Sequence, residues 1–128
     1  QMSTTSVTTS TANTFASTNT TLAITPTSAA NLIRVVAFGC GTTANALNSN
    51  ENIALFRGST QLTPLLFAIA TTGTAATTAA FDWLDGPNSN SSTTYTVKIA
   101  NDDNATTIRF PVNVTGATGV MVLNEIMG

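Results

Sequence analysis

Two carboxylates, Asp82 and Asp85, bracket the single tryptophan in the run Phe81-Asp82-Trp83-Leu84-Asp85-Gly86-Pro87. Two acids on either side of a glycosidic bond can hydrolyse it, one as acid and the other as nucleophile or base. A spacing of three on a strand sends the side chains to opposite faces, which divides the pair. Asp85 precedes Gly86-Pro87, where an Asp side chain bonds its own backbone, and a turn accounts for it better than catalysis. The other acids are Glu51, Asp102, Asp103 and Glu125, and the sequence has no histidine to act as general base.

Asp102-Asp103-Asn104 offers hard oxygens of the kind that hold Ca²⁺. It lacks the ordered ligand series and distal bidentate Glu of a dedicated loop, so a hairpin turn is expected. Trp83 and Tyr95 have faces that stack on sugars, but the apolar strand patterns around both direct them to the core. Cys40 has no intrachain partner and follows Val35-Val36-Ala37-Phe38, which predicts a small buried side chain. Four Asn-X-Ser/Thr sequons, at Asn19, Asn90, Asn104 and Asn113, are chance matches in a chain so rich in Asn and Thr. The inventory yields no catalytic, cofactor-binding or metal-ligating residue, and no enzymatic activity is expected.

Composition bounds what positions these residues. At 128 residues the chain suits one domain with a modest core. Charged residues are 8%, about a third of the usual share, while Thr, Ser and Asn fill 50 positions. Low net charge with 42% apolar residues argues against disorder, and abundant Thr, Val and Ile favour strands. The net charge of −2 and four scattered cations, Arg34, Arg57, Lys98 and Arg109, leave no patch for phosphates, so nucleic acid is not an expected partner. No apolar run reaches the ~18–20 residues of a membrane-spanning helix, and no signal peptide is visible.

Residues 1–18 are almost all Ser, Thr, Ala and Asn around Phe15, and predict an extended lead-in or arm ahead of a β-domain over 19–128. Met2 after Gln1 is a poor translation start, which suggests interior residues of a longer polypeptide. Strands are predicted at Thr21–Thr25, Leu32–Phe38, Asn52–Arg57, Leu65–Ala70, Phe81–Leu84, Tyr95–Ile99, Thr107–Val114 and Val120–Ile126. Their breaks are Pro26, Gly39-Cys40-Gly41 with the polar stretch 42–51, Gly58-Ser59, 71–78, Asp85-Gly86-Pro87, Asn101–Asn104 and Thr115–Gly119. About eight short strands without an amphipathic helix predict an all-β antiparallel sandwich, and a jelly roll fits the count. Leu32-Ile33, Val35-Val36, Leu65-Leu66 and Val120–Leu123 are apolar at consecutive positions. Such strands need both faces covered, and identical neighbours in a symmetric oligomer would cover the second.

Several pieces together resemble the carboxy-terminal β-domain of phage tail-fibre-like proteins, especially of marine and cyanobacterial phages. They are Thr14–Thr18, Leu22–Asn31, Leu55–Thr60, Phe81–Pro87, Ser92–Val97 and Met121–Ile126, in the family's order and over nearly the whole chain. The resemblance implies a jelly roll similar to the tumour-necrosis-factor and complement globular-head folds, assembled as a homotrimer. It implies a place on a virion, as a receptor-facing tip or a surface knob beside other virion proteins, and brings no catalytic motif. The chain departs from the family pattern in the Asn-rich stretch between Gly39 and Asn52, and in Trp83, where a smaller aromatic is commoner. The expected function is binding of a host-surface glycan at a fibre tip through loops 41–51, 72–78, 86–92 and 101–104. The other arrangement is a capsid decoration protein, its arm lying along the capsid and its trimeric knob projecting.

Overall fold

The structure is a computed structural model, and it describes residues 1–5, 7–44, 49–70, 75–102, 107–111 and 118–128. Extended chain dominates, as the β-branched composition requires. The strands are β1 (Met2–Ser3), β2 (Val7–Thr9), β3 (Ala16–Ile24), β4 (Leu32–Ala44), β5 (Ser49–Arg57) and β6 (Thr60–Gln61). They continue with β7 (Leu66–Ala70), β8 (Ala75–Asp85), β9 (Thr93–Asn101), β10 (Thr107–Phe110) and β11 (Gly119–Ile126).

Among the described residues these form two antiparallel sheets, one of six strands and one of five. β4 is the axis of the larger sheet. β8 lies along one of its edges from Asp85 opposite Ile33 to Ala75 opposite Thr43. β11 and β10 share the other edge in succession, and β1 and β2 pair with them from outside. The smaller sheet runs β3-β9-β5, with β6 and β7 dividing the remaining edge of β5. The result is an all-β sandwich of the jelly-roll kind.

Period 2 sorts the side chains. On β4 the odd residues Ile33, Val35 and Ala37 are buried, while Arg34 and Phe38 face out. Phe81 on β8, Met121 on β11 and Tyr95, Val97 and Ile99 on β9 meet them between the sheets. Each large side chain enclosed there contributes roughly 1.5–3 kcal/mol relative to exposure. Two-residue spacing also sets the β5–β6 hairpin, where Arg57 pairs with Thr60 around Gly58-Ser59 and Gly58 takes φ +56°.

Several expected boundaries move. Gly39-Cys40-Gly41 does not end a strand, because β4 continues to Ala44. Gly39 and Gly41 point inward, and a Cβ on them would run into the Phe110 ring and the Glu51 carboxyl respectively. Glycine is there for close approach, not for termination. The stretch 42–51 contributes its ends to β4 and β5, and 71–78 contributes Ala75–Thr78 to β8; 45–48 and 71–74 lie outside the described residues. β10 is described to Phe110, and the rest of the expected strand, 112–114, lies outside the described residues, as do 115–117 of the expected connection after it. Within the stretch 1–18, β1 and β2 are paired strands of the larger sheet and β3 begins at Ala16.

Register gives the sandwich two distinct ends. At one lie the strand termini Ala44, Ser49, Ala70, Ala75, Asn101 and Thr107. At the other lie Leu32, Arg57, Asp85, Thr93 and Ile126. These are called below the Asn101 end and the Asp85 end.

Candidate functional site

Parity on β8 separates the two carboxylates as their spacing requires. Asp82 faces solvent and Asp85 faces the interior. Asp82 forms a two-pronged pair with Arg34, whose Nε and Nη2 donate to Oδ1 and Oδ2 at 2.8 and 2.6 Å. The Arg34 guanidinium, by hydrogen bond and charge, holds the Asp82 carboxyl below its ordinary range. An exposed pair of this kind is worth little to stability.

Asp85 is no free turn acid. The Tyr95 hydroxyl donates to its Oδ2 at 2.7 Å, and Nη1 of Arg57 donates to both carboxylate oxygens at 3.0 and 2.9 Å. The same nitrogen reaches the Gly86 carbonyl at 3.3 Å. Strand β8 of one sheet is thereby bonded to β5 and β9 of the other, and the start of the 86–92 loop is held with them. Burial, then the bond to Asp85, pushes the Tyr95 hydroxyl far above the ordinary phenol range, so it stays a donor. The local pattern Asp-Gly-Pro could not reveal this, because the partners are 28 and 10 residues away.

The aromatic pair divides. Tyr95 is fully buried, as its alternating strand predicts, and Trp83 is half-buried against the rim of the core. Cys40 departs from expectation: it is half-buried on the outer face of β4, since even positions there point outward. Of Asp102-Asp103-Asn104, Asp102 follows the end of β9, and the other two lie outside the described residues, as do the sequons at Asn104 and Asn113. Of the four expected loops, the described strand ends that flank 45–48, 71–74 and 103–106 (Ala44, Ser49, Ala70, Ala75, Asn101 and Thr107) lie at the Asn101 end, whereas 86–92 is at the Asp85 end. In the 86–92 loop Asn88 takes φ +50°, a conformation that Asn tolerates better than most residues.

Two features lie outside the residues weighed for chemistry in the sequence. The first is the outer face of the larger sheet. Met2, Val120, Phe38 and Ala80 stand in one cross-strand row, with Val122 and Val36 in the next and Leu84 beside Arg34. Phe38 is 47% exposed, Val122 42%, Leu84 53% and Met2 71%. The outer face of the smaller sheet is different: Phe15 packs edge-on against Phe56 at 4.9 Å, and Lys98 Nζ lies 4.4 Å from the same ring centre. Among the described residues, the chain covers one sheet with its own side chains and leaves the apolar face of the other exposed.

The second is Glu51, fully buried between the sheets with neither carboxylate oxygen bonded. It sits across β5–β9 from buried Asn101 and against Gly41 of β4. Burial alone pushes its carboxyl up to about 8. A polar residue before Ile53 read as loop, and only the strand parity places it inside.

No cavity is found among the described residues, and no group of three His, Cys, Asp or Glu is placed to hold a metal ion. Comparison with models of protein families finds no match for the chain, and comparison with curated proteins finds none.

Proposed function

We propose that the chain is a non-enzymatic virion surface domain, a homotrimer at the tip of a phage tail fibre that binds a host-surface glycan. The observation that supports assembly is the bare apolar face of the larger sheet, centred on Phe38 and Val122. Contiguous exposed apolar surface of this kind marks an interaction site more often than it stays wet. Its two central charges, Arg34 and Asp82, are already paired with each other, so covering the face with another copy strands no lone ion. The tumour-necrosis-factor-like trimer belongs to the same reading, with the two-sheet jelly-roll architecture as its support.

Orientation favours the tip over a capsid knob. β1 runs toward the Asn101 end, so a stalk joined at Gln1 leaves that end, where the strands lead into three of the four candidate loops, facing away from it. Residues 2–3 and 7–9 are paired into the domain's own sheet, which removes them from the arm that a decoration protein would lay along a capsid. Asn, Ser and Thr in those loops suit the many hydrogen bonds of glycan recognition, on a scaffold rigid enough to vary them.

Sedimentation of the purified chain should give the mass of three chains at micromolar concentration. The trimer should bind host cells, and periodate oxidation of the cell-surface glycan should abolish that binding. Immunogold labelling of particles should fall on fibre ends. A stable monomer overturns the assembly, and label spread over the capsid moves the domain to decoration.

A further inference from the structure

Glu51 has the wrong chemistry for its place. The interior around it is built from Ile53, Ile99 and Ile108, all fully buried. Its carboxylate oxygens accept no hydrogen bond, and one of them lies directly over Gly41. An ionised carboxylate needs donors or a cation when it leaves water, and without them it keeps its proton.

None of the groups packed against it brings a cation, and none donates to its oxygens. β4 presents Gly41, which has no side chain. β9 presents the neutral amide of Asn101 from the paired position. Lys98 of the same strand faces outward, over Phe56. β10 brings the Arg109 main-chain carbonyl to the same glycine, another acceptor. The Arg109 side chain points away, because Ile108 and Phe110 on either side of it are the buried ones. On β7 the paired residue is Ala68. No charged side chain among the described residues faces Glu51.

We propose that Glu51 is a proton switch at the Asn101 end of the sandwich: neutral while the sheets close around it, and opening that end when it ionises. In the unfolded chain the carboxyl ionises at its ordinary 4.5, and in the folded chain it holds its proton to about 8. Between those values the unfolded chain releases a proton that the folded chain keeps, so rising pH favours opening. The folding constant falls about tenfold for each pH unit in that window. The strand ends nearest the charge are Ala44, Ser49, Ala70 and Asn101, from which three of the candidate binding loops leave. The switch does not depend on the ligand or on the trimer.

The test is urea unfolding of the 128-residue chain from pH 5 to 9, beside Glu51→Gln, which keeps shape and removes the charge. The wild type should lose stability steadily to about pH 8, and Glu51→Gln should be flat over the same range. Hydrogen exchange at pH 9 should then be faster at 42–44, 50–53 and 99–101 in the wild type than in the variant. Equal pH profiles for the two proteins overturn the proposal. If Glu51→Gln does not fold, the carboxyl ¹³C shift of Glu51 in the wild type decides: a midpoint near 8 supports the switch, and one near 4.5 overturns it. Recovery of full stability at pH 9 on adding millimolar calcium chloride also overturns it, since the site would then hold a cation.

Discussion

Tyr95 and Asp85 join the two sheets through one hydrogen bond of 2.7 Å, made inside the protein at the end where Arg57 closes the same carboxylate. A buried acid held by three hydrogen bonds from two donor groups is stable only while the set is complete, so its members should fail unequally. Tyr95→Phe removes one donor and leaves the Arg57 pair, and should cost about 1 kcal/mol. Asp85→Ala strands a phenol and a guanidinium, and should cost roughly 2–3 kcal/mol, discounted because Arg57 is partly exposed. Urea unfolding of both and of the double variant would show coupling. Equal, additive losses would mean that the three groups do not act as one set.

Gly39 of β4 and Phe110 of β10 make a second close fit, this one within the larger sheet, with the ring filling the space where a Cβ would stand. Gly39→Ala should therefore cost about 1–3 kcal/mol through overpacking. Phe110→Leu opens a cavity and destabilises on its own. Combined, the two should cost less than their sum, because the leucine vacates what the alanine needs. A strictly additive double variant would show that the ring and the glycine are not in contact.

Where the sequence misled, long-range partners were the reason. Tyr95–Ile99 was legible because burial on one face writes a period of 2 into neighbouring residues, and Leu32–Phe38 and Val120–Ile126 because apolar, β-branched runs are bounded by turn residues. Gly39 and Gly41 look like breaks until Phe110 and Glu51, far along the chain or on the other sheet, are seen to lie against them. Asp85 looks like a turn acid until Arg57 and Tyr95 arrive from the opposite sheet. Residues 2–3 and 7–9 carry no apolar rhythm, and they become strands because β11 and β10 offer an unpaired edge. The apolar runs of β4 and β11 did signal a second face in need of cover, although the residues that form that face come from four strands.

Stability should peak near pH 4.5. Above it, Glu51 holds a proton in the fold that the unfolded chain gives up, so stability falls until about pH 8. Below it the opposite sign applies. Bonds from Asn31 and Thr27 depress the Glu125 carboxyl, and Arg34 depresses that of Asp82. Their contributions are present above the unfolded values of 4.5 and 3.8 and are lost as pH falls through the folded ones. Glu125→Gln should flatten the acid limb and leave the alkaline limb unchanged. A urea midpoint constant from pH 5 to 8 would contradict the alkaline half.

Phe38 tests whether the bare face is an interface or only a surface. It is half exposed in the single chain, at the centre of a row with Met2, Val120 and Ala80, so a charge there buries nothing new in the monomer. Phe38→Asp should leave the fold within about 0.5 kcal/mol, the ordinary range for a surface substitution. The same charge inside a packed interface would be desolvated without a partner, since Arg34 is already held by Asp82. Sedimentation should therefore find the variant as a folded monomer under conditions where the wild type sediments as the proposed trimer. Val122→Lys, one row away on β11, should do the same, while Asn19→Asp, at an exposed position on the other sheet, should leave the mass unchanged. If all three variants assemble alike, the copies meet elsewhere, and the apolar face is open to a different occupant.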